Sequence, residues 1–403
     1  MINADVKLLV PELRFPEFKN TEQWTHQTLG ELSNILRGGS PRPIDSFITK
    51  DNQGLNWLKI GDVDKDAKYI SRTKERVRIE ALSKTREVHP GDLIMSNSMS
   101  FGRPYILQIK TCIHDGWIAV TELNDDIVRD FLYYFILSDA AQRYFLNSAA
   151  GGGIKNLNAD IIKLLKVVYP KEKLEQQKIA DCLTSIDDLI SGHTKKLESI
   201  QACRQGLMQQ LFPQEGETIP KLRFSEFSNS GLWEPKKLSA LFEIGGGKDH
   251  KHLPDGDIPV YGSGGYMRSV NSFLYNGESA CIGRKGTINK PIFLEGKFWT
   301  VDTLFYTHSF KDCSPKFVYL LFQNINWLKL NEAGGVPSLS KVIINNVETR
   351  VPSIDEQNKI VETIWSIDNL ITEQAKKIES LKEHKKGLLQ KLFPLVNEEE
   401  LHD

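Results

Sequence analysis

The 403-residue chain has few cysteines and no long hydrophobic segment. Its five cysteines are scattered and form no Cys-x-x-Cys pair, which excludes a disulfide framework and a thiolate zinc site and is typical of a reducing compartment. The longest apolar run, residues 131–137, is far shorter than the roughly 20 residues that a membrane-spanning helix needs. The first ten residues contain no apolar core of a signal peptide. We therefore expect a cytoplasmic protein that has no membrane partner.

An excess of charge of either sign is also missing, because 51 Lys and Arg face 52 Asp and Glu for a net charge of −1. The overall charge therefore argues neither for nor against binding to nucleic acid, and only local clusters of charge are informative. Hydrophobic residues at 40% and charged residues at 26% are ordinary for a globular protein. At about 100–200 residues per domain, this length predicts two to four domains.

The motifs of common catalytic sites are missing too. The chain contains no Pro-Pro, and hence no Asn/Asp-Pro-Pro-aromatic motif of an amino methyltransferase. Gly247-Lys248 is followed by Asp249 instead of the Ser or Thr of a phosphate-binding loop. Met267 stands where a dinucleotide fingerprint that begins at Gly262 needs its third glycine. We predict that the chain is not an enzyme by itself and has no cofactor or metal site of its own.

Two alternatives from other classes stay open. A metal-dependent nuclease could use Asp255, Glu295 and Lys297 as its catalytic core. The same Glu-x-Lys pattern also occurs at residues 17–19 and 383–385, so that chance explains its presence. The other alternative is a structural adaptor whose variable domains bind proteins.

Two blocks of the sequence each occur twice. Pro-Glu-Leu-Arg-Phe-Pro-Glu-Phe at 11–18 returns as Pro-Lys-Leu-Arg-Phe-Ser-Glu-Phe at 220–227, an offset of 209 residues. The block from Glu-Gln-Gln-Lys-Ile to Leu-Phe-Pro at 175–213 returns at 356–394, an offset of 181 residues. The segments between these blocks resemble each other little. The chain therefore consists of two copies of a similar framework, each with a different variable segment.

The second repeated block has the pattern of a long helix with a heptad seam. Apolar residues recur at alternating spacings of three and four from Ile179 to Leu211 and from Ile360 to Leu392. Polar residues interrupt the seam at matching places in the two blocks, His193 with Gln374 and Arg204 with Lys385. Single polar residues in a seam commonly set the register and the orientation of the partner helix.

A glycine also recurs in this helix, at Gly206 and Gly387. Because a glycine inside a helix costs up to about 1 kcal/mol, the pair predicts a close approach between the two helices. Pro213 and Pro394 end the helices. Two seams in one chain favour intramolecular pairing over a homodimeric coiled coil, which is the alternative.

These patterns predict an α+β protein. Two mixed α/β domains are separated by two long conserved helices that form an antiparallel intramolecular coiled coil with pseudo-two-fold symmetry. The predicted boundaries are 1–170 for the first domain with its lead-in, 171–213 for the central helix, 214–351 for the second domain with the repeated lead-in, 352–394 for the C-terminal helix and 395–403 for an acidic tail.

Local clusters of cations, hydroxyl groups and amides in both variable segments predict binding to double-stranded DNA. Glycine-rich loops with such side chains suit phosphate contacts through backbone N–H groups and base contacts through Arg, Asn and Ser. A pseudo-dyad also matches the symmetry of duplex DNA. The candidate DNA-binding residues are Arg37, Ser40, Arg42, Lys59, Arg72, Arg76, Ser96, Asn97, Ser98, Arg103, Lys155, Asn156, Lys248, His250, Tyr261, Ser263, Arg268, Arg284, Lys285, Thr287 and Lys341.

The chain resembles the specificity subunits of type I restriction-modification systems over nearly its whole length. The most specific marks are the repeated Pro-x-Leu-Arg-Phe-x-Glu-Phe lead-in and the paired Glu-Gln-x-Lys-Ile helices that end in Leu-Phe-Pro. The Trp-Leu-Lys-Ile-Gly-Asp motif at 57–62 resembles one type of target-recognition domain. The motifs Pro-Val-Tyr-Gly-Ser-Gly-Gly at 259–265 and Ile-Gly-Arg-Lys-Gly at 282–286 resemble another.

This resemblance implies that each variable segment is a target-recognition domain that reads one half of an asymmetric bipartite DNA site. It implies that the helices set the spacer between the half-sites and dock two methyltransferase subunits for adenine methylation. Restriction and translocase subunits would join the larger complex. S-adenosylmethionine and the catalytic residues would belong to the partner methyltransferase subunit.

Overall fold

The computed structural model describes residues 9–64, 66–97, 102–149 and 157–394. The chain divides into two compact units, which we call unit 1 (Met1–Gly192 with Ile378–Asp403) and unit 2 (His193–Lys377). Both boundaries between the units fall inside long helices. Each unit therefore contains the first part of one long helix and the last part of the other.

Unit 1 is built from short strands and four short helices that precede a long helix. The strands are β1 (Thr25–Thr28), β2 (Asn34–Arg37), β3 (Ile48–Thr49), β4 (Leu55–Leu58), β5 (Tyr69–Ile70), β6 (Glu75–Val77), β7 (Arg86–Val88), β8 (Leu93–Ser96), β9 (Pro104–Leu107), β10 (Thr111–Ile113), β11 (Trp117–Thr121) and β12 (Lys166–Tyr169). The helices are α1 (Leu29–Leu32), α2 (Arg129–Leu137), α3 (Asp139–Ala149), α4 (Ala159–Lys163) and α5 (Lys173–Leu211), the last of which continues into unit 2.

Unit 2 repeats this plan with different strands. They are β13 (Glu234–Lys237), β14 (Glu243–Gly246), β15 (Asp255–Gly262), β16 (Gly265–Val270), β17 (Tyr275–Asn276), β18 (Ser279–Gly283), β19 (Ile292–Leu294), β20 (Lys297–Thr300), β21 (Leu304–His308) and β22 (Glu348–Val351). Its helices are α6 (Pro315–Asn324), α7 (Lys341–Asn346) and α8 (Ile354–Leu392), of which α8 returns to unit 1.

The larger sheets differ between the units, but each unit also contains an equivalent two-stranded sheet. In unit 1 the sheet orders are β3-β6-β4-β10-β7 and β2-β11-β8-β9-β5. In unit 2 they are β14-β21-β18-β19 and β16-β15-β20-β17. The shared element is an antiparallel strand pair directly before the long helix, β1 with β12 and β13 with β22. The prediction of a mixed α/β chain with two sheet-rich domains and paired long helices is confirmed.

A buried carboxylate joins the repeated lead-in to the start of each long helix. In unit 1, Glu175 on α5 accepts hydrogen bonds from Arg14 Nε and Nη2, both at 2.7 Å, and from Trp24 Nε1 at 3.2 Å. In unit 2, Glu356 on α8 accepts from Arg223 Nε at 2.8 Å, from its Nη2 at 2.7 Å and from Trp233 Nε1 at 3.2 Å. The sequence repeats Arg and Trp at an offset of 209 and Glu at an offset of 181 because these three residues form one cluster.

The glutamine next in sequence closes the same corner. Gln176 accepts a hydrogen bond from Val128 N at 2.7 Å and donates to the carbonyl groups of Asp126 and Pro170. Gln357 accepts one from Ser314 N at 3.3 Å and donates to the carbonyl groups of Asp312 and Pro352. Both side chains are fully buried, and each satisfies backbone groups that would otherwise lack partners.

The Leu-Phe ends of the helices lie in the cores of the units. Phe393 packs between Trp24 and Phe131 of unit 1, with its ring centroid 5.3 Å from that of Phe131. Phe212 stacks on Phe317 of unit 2 at 5.6 Å. Each unit thus anchors the end of one long helix and the start of the other.

Within each unit the two helices run antiparallel along the predicted seam. In unit 1, Lys385 Nζ lies 2.6 Å from Asp187 Oδ1. The equivalent pair in unit 2 is Arg204 with Asp368, whose Nη2 and Oδ2 atoms are 2.9 Å apart. Gln374 Nε2 lies 2.7 Å from His193 Nδ1 and donates to the carbonyl of His193 at 2.8 Å. Every polar interruption of the seam that the sequence contains therefore has a polar partner on the other helix.

The expectation for Gly206 and Gly387 is wrong. A Cβ atom built on either glycine meets no atom within 4 Å in the described part of the chain, so the two helices do not approach each other there. The physical reason for these glycines lies outside the contacts of the helix pair. Among the described residues, no helix is both long and apolar enough to cross a membrane.

We predict that Glu175→Gln lowers the free energy of unfolding by about 3–5 kcal/mol, because it leaves the guanidinium of Arg14 buried without its counter-charge. The side chains of Arg14 and Glu175 are only 7% and 1% exposed. Urea denaturation followed by tryptophan fluorescence measures the change. The control is Glu17→Gln, which breaks the half-exposed pair with Lys178 and should cost at most about 1 kcal/mol. Equal losses for the two variants would contradict the assignment.

Candidate nucleic-acid interface

Four of the predicted residues in unit 1 meet around Asp115, in the turn between β10 and β11. Ser40 Oγ donates to Asp115 Oδ1 at 2.8 Å, and Arg42 Nη2 lies 3.8 Å from Asp115 Oδ2. The backbone carbonyl of Asp115 accepts hydrogen bonds from Arg37 Nε at 3.3 Å and from Asn97 Nδ2 at 2.9 Å. Two separate segments of the chain, residues 37–42 and Asn97, thus contact this turn, and we call the group the Asp115 cluster.

The cations of the Asp115 cluster are exposed to solvent and also contact Asp115. The side chain of Arg42 is 83% exposed, and that of Asp115 is 33% exposed. His114 Nε2 adds a further potential cation 3.1 Å from Asp115 Oδ1. Gly38 fits against the carbonyl of His114, where a Cβ would come within 2.2 Å of the oxygen. The Gly-Gly pair after β2 therefore allows the two loops to touch.

Other predicted residues of unit 1 lie apart from this cluster. Lys59 forms an ion pair with Glu75 at 2.6 Å, and Arg76 donates to the carbonyl of Asn52. Arg72 is exposed, and Arg103 Nη2 lies 3.5 Å from Asp66 Oδ1. These cations lie on segments outside the Asp115 cluster.

Two of the predicted residues of unit 1 are less exposed than a role in DNA binding requires. Ser96 is 1% exposed within β8, and Asn97 is 6% exposed. Lys68 is also buried, with Nζ 3.1 Å from Asp130 Oδ1 and 2.8 Å from Thr184 Oγ1. Burial would raise the pKa of Asp130, but hydrogen bonds from Arg129 and the charge of Lys68 lower it overall. Lys68 therefore joins the domain to the helix. Ser98, Lys155 and Asn156 lie outside the described residues.

In unit 2, the predicted residues gather beside an open cleft. The cleft has a volume of about 790 Å³ and is lined by Asp249, His250, Lys251, Gly262, Ser263, Gly264, Gly265, Tyr266, Met267, Val301, Asp302 and Thr303. The loop of Arg284 and Lys285 is bound to its wall, since both backbone N–H groups donate to the carbonyl of Thr303. Arg284 and Lys285 themselves are exposed.

The remaining predicted residues of unit 2 lie outside the lining of this cleft. Tyr261 packs against Tyr266 with ring centroids 6.1 Å apart, and Lys248 is exposed next to the Asp249–Lys251 segment. Thr287 follows the loop of Arg284 and is half-buried. Two cations have internal partners, because Arg268 Nη2 lies 2.6 Å from Asp255 Oδ1 and Lys341 Nζ donates to the carbonyl of Ile244 at 2.7 Å.

The acidic and apolar members of these sites were missed by sequence reasoning. Asp115, Asp302 and Met267 carry none of the cations, hydroxyl groups and amides on which the prediction depends, and Tyr266 has a hydroxyl group but is not in the predicted set. An acidic residue beside a glycine, as in Asp115-Gly116, is a signal that could have found the first of them. Among the described residues, no group of three or more His, Cys, Asp and Glu side chains could hold a metal ion.

Each unit thus combines a repeated framework of lead-in and helix contacts with polar loops that differ from those of the other unit. A family model agrees with this description. The model of the type I restriction modification DNA specificity domain matches residues 21–202 and 230–383, well over half of the chain. The chain belongs to this family of type I restriction-modification specificity proteins, whose role is DNA recognition.

Two of the curated relatives are distant in sequence but match nearly the full length of the chain. The chain is 23% identical to the type I restriction enzyme MjaVIII specificity subunit of Methanocaldococcus jannaschii, over 92% of each chain. It is 22% identical to the putative MjaX specificity subunit of the same organism, over 92% of this chain and 93% of the other.

Solved structures share the fold. The type I restriction-modification S subunit from M. genitalium matches with a TM-score of 0.63 and 18% identity, over 96% of this chain and all of that one. A chain from a structural study of complex assembly and conformational transition in a type I system matches with a TM-score of 0.57 and 15% identity, over 92% and 97%.

We predict that Arg284→Ala weakens DNA binding and lowers the slope of log affinity against log salt by about 1, because one phosphate contact is lost. Filter binding or fluorescence anisotropy at several salt concentrations measures this slope. Lys377→Ala, which removes an exposed cation on α8, is the control and should leave the slope unchanged. An unchanged slope for Arg284→Ala would show that this residue is not at the interface.

Proposed function

We propose that this chain is the DNA sequence-recognition subunit of a type I restriction-modification complex, in which each recognition domain reads one half of an asymmetric bipartite site. The observation that carries the proposal is the contrast within the molecule. The contacts that join lead-in, helix start and helix end recur residue for residue in the two units, whereas the Asp115 cluster and the cleft of unit 2 share no residue pattern.

Recognition of a DNA half-site would combine two kinds of contact. Exposed cations such as Arg42, Arg284 and Lys285 would bind phosphates with an affinity that falls with salt. Side chains such as Ser40 and Ser263 would contact base edges, where a good pair discriminates by about 1–3 kcal/mol. Since the two units differ in these loops, the two half-sites would differ in sequence.

The chain supplies no catalytic group to this function in our proposal. Adenine methylation would be carried out by two methyltransferase subunits, which would bring S-adenosylmethionine and flip the target base. Restriction and translocase subunits would join the complex through these partners. The specificity chain would contribute recognition and placement.

The repeated glycines support docking of one partner at each of two equivalent surfaces. Gly387 lies one turn before Lys391, whose carbonyl accepts a hydrogen bond from Leu13 N at 2.8 Å. Gly206 lies one turn before Gln210, whose carbonyl accepts one from Leu222 N at 3.0 Å. The side chains of Leu13 and Leu222 are exposed, although leucine favours burial.

A helix glycine whose Cβ position meets no described residue within 4 Å costs about 1 kcal/mol relative to alanine without a compensating contact in the described part of the chain. Its recurrence in both units, one turn before a carbonyl that binds the backbone of an exposed leucine, therefore favours a close approach from outside the chain. Because the surface occurs twice and the recognition loops do not, the occupant would be two copies of the same protein. The methyltransferase subunit meets this requirement.

We expect Gly387→Leu to reduce the number of methyltransferase subunits bound per specificity chain from two to one, since the leucine side chain would occupy the space for the partner. The combined Gly206→Leu and Gly387→Leu variant should bind none. Native mass spectrometry of the assembled complex counts the subunits. Lys377→Leu places the same side chain at an exposed position of α8 ten residues from Gly387 and serves as the control. Two methyltransferases on the doubly substituted chain would refute docking at these surfaces.

The helix pair would set the spacer between the half-sites. Seven residues inserted after Lys195 in α5 and seven at the equivalent place after Lys376 in α8 keep both seams in phase and add about 10 Å to each helix. At about 3.4 Å per base pair, the spacer should lengthen by about three base pairs while both half-sites keep their letters.

Methylation mapping of DNA treated with the assembled complex reads both quantities. Insertion into α5 alone is the control, because it shifts the register of one helix against the other and should abolish methylation. A spacer of unchanged length in the doubly extended protein, or half-sites with a changed base sequence, would contradict the proposal that the helices set the spacer.

A further inference from the structure

The cleft of unit 2 contains two features that the cationic loops around it do not explain. The first is an acid: Asp302 lines the cleft and is exposed, and it has no side-chain partner among the residues that the structure describes. The second is apolar: Tyr266 and Met267 line the same cleft and are 62% and 53% exposed. Each feature constrains what the cleft can bind.

An unpaired carboxylate is unfavourable next to a phosphate. Arg284 Nη1 lies 3.5 Å from the backbone carbonyl of Asp302, so the guanidinium is close to this residue, yet no side-chain ion pair forms. By contrast, Asp249 on the other wall accepts a hydrogen bond from Lys251 N, and Asp255 outside the cleft pairs with Arg268. Asp302 therefore retains free acceptor capacity that a donor on the ligand would use.

The exposed tyrosine and methionine indicate that part of the ligand is apolar and flat. Gly264 and Gly265 form the adjoining turn, and a Cβ on either would meet no atom of the described residues within 4 Å, so a bulky ligand can come close to the backbone here. Gly265 also has a φ of +109°, which a residue with a side chain rarely adopts. A bare phosphate would use neither the apolar side chains nor the acid.

A nucleobase edge in the major groove meets all of these requirements. The N4 amino group of cytosine is the base donor that Asp and Glu accept from, and apolar side chains contact the carbon edge of pyrimidines. The surrounding cations Lys251, Arg284 and Lys285 would bind the flanking phosphates.

We propose that Asp302 determines specificity by accepting a hydrogen bond from the N4 amino group of a cytosine in the half-site that unit 2 reads, with Tyr266 and Met267 against the neighbouring pyrimidine edge. This inference rests on the proposed function and adds a residue and a base to it.

The test uses the assembled methyltransferase complex with S-adenosylmethionine on a DNA library that is randomised over the site, and it reads methylated adenines by sequencing. Asp302→Ala should reduce discrimination at one G·C pair of one half-site by about ten- to a hundredfold and leave the other half-site unchanged. Asp302→Asn should shift the preference at the same position toward adenine, which an amide recognises.

The matched control is Asp257→Ala, which removes an exposed acid from β15 outside the cleft and should keep every letter. The inference is overturned if the letters survive Asp302→Ala, if both half-sites change, or if the wild-type half-site that unit 2 reads lacks a G·C pair. A wild-type complex without any bipartite motif would instead overturn the proposed function itself.

A measurement on the unaltered protein keeps the inference testable if the Asp302 variants are inactive. N4-methylcytosine replaces the hydrogen that faces the major groove with a methyl group. Placed at the inferred position, it should weaken binding by at least about tenfold, whereas the same substitution in the spacer should have no effect. Equal affinity for the two duplexes would exclude contact at the amino group.

Discussion

A buried carboxylate at the start of each long helix is the constraint on which both units depend. Glu175 and Glu356 are each 1% exposed, and each accepts two hydrogen bonds from one arginine and one from a tryptophan of the lead-in. The hydrogen bond with Glu175 raises the pKa of Arg14 against the opposing effect of burial. A buried ion pair of this kind contributes little net stability, because both charges lose their hydration. Its fork geometry instead fixes how the lead-in and the helix meet.

The recognition domains meet the helix pair through the same seam acids but by different side chains. In unit 1, Tyr134 donates to Asp187 at 2.7 Å, beside the ion pair of Asp187 with Lys385. Burial and the charge of Asp187 raise the pKa of Tyr134, so the phenol keeps its proton and stays a donor. In unit 2, Gln323 of α6 accepts a hydrogen bond from Arg204 at 3.0 Å, beside the pair with Asp368. The two variable segments thus contact equivalent seam acids through different side chains.

The scaffold could be predicted from the sequence, since its determinants are repeated and local. The seam from Ile179 to Leu211 follows from spacing alone, and its repetition predicts the second helix. The role of Glu175 could not be predicted, because its partners Arg14 and Trp24 lie over 150 residues away. The prediction for Gly206 is wrong for a related reason. A glycine in a helix indicates that another element packs closely against it, but the sequence does not say whether that element belongs to the same chain.

The recognition sites were less predictable because their chemistry arises from the meeting of loops. The residues predicted from local clusters of polar side chains include Arg42 and Arg284, which are exposed, and also Ser96, which is buried in β8. The prediction also overlooked the acids of each site. Asp115 accepts hydrogen bonds from Ser40, Arg37 and Asn97 and thereby positions a cationic loop before any ligand is bound. Asp302 has no such partner among the described residues, so its acceptor atoms face solvent. The same residue type is therefore held by internal hydrogen bonds in one unit and left without a side-chain partner in the other, and this difference cannot be predicted from composition or local charge.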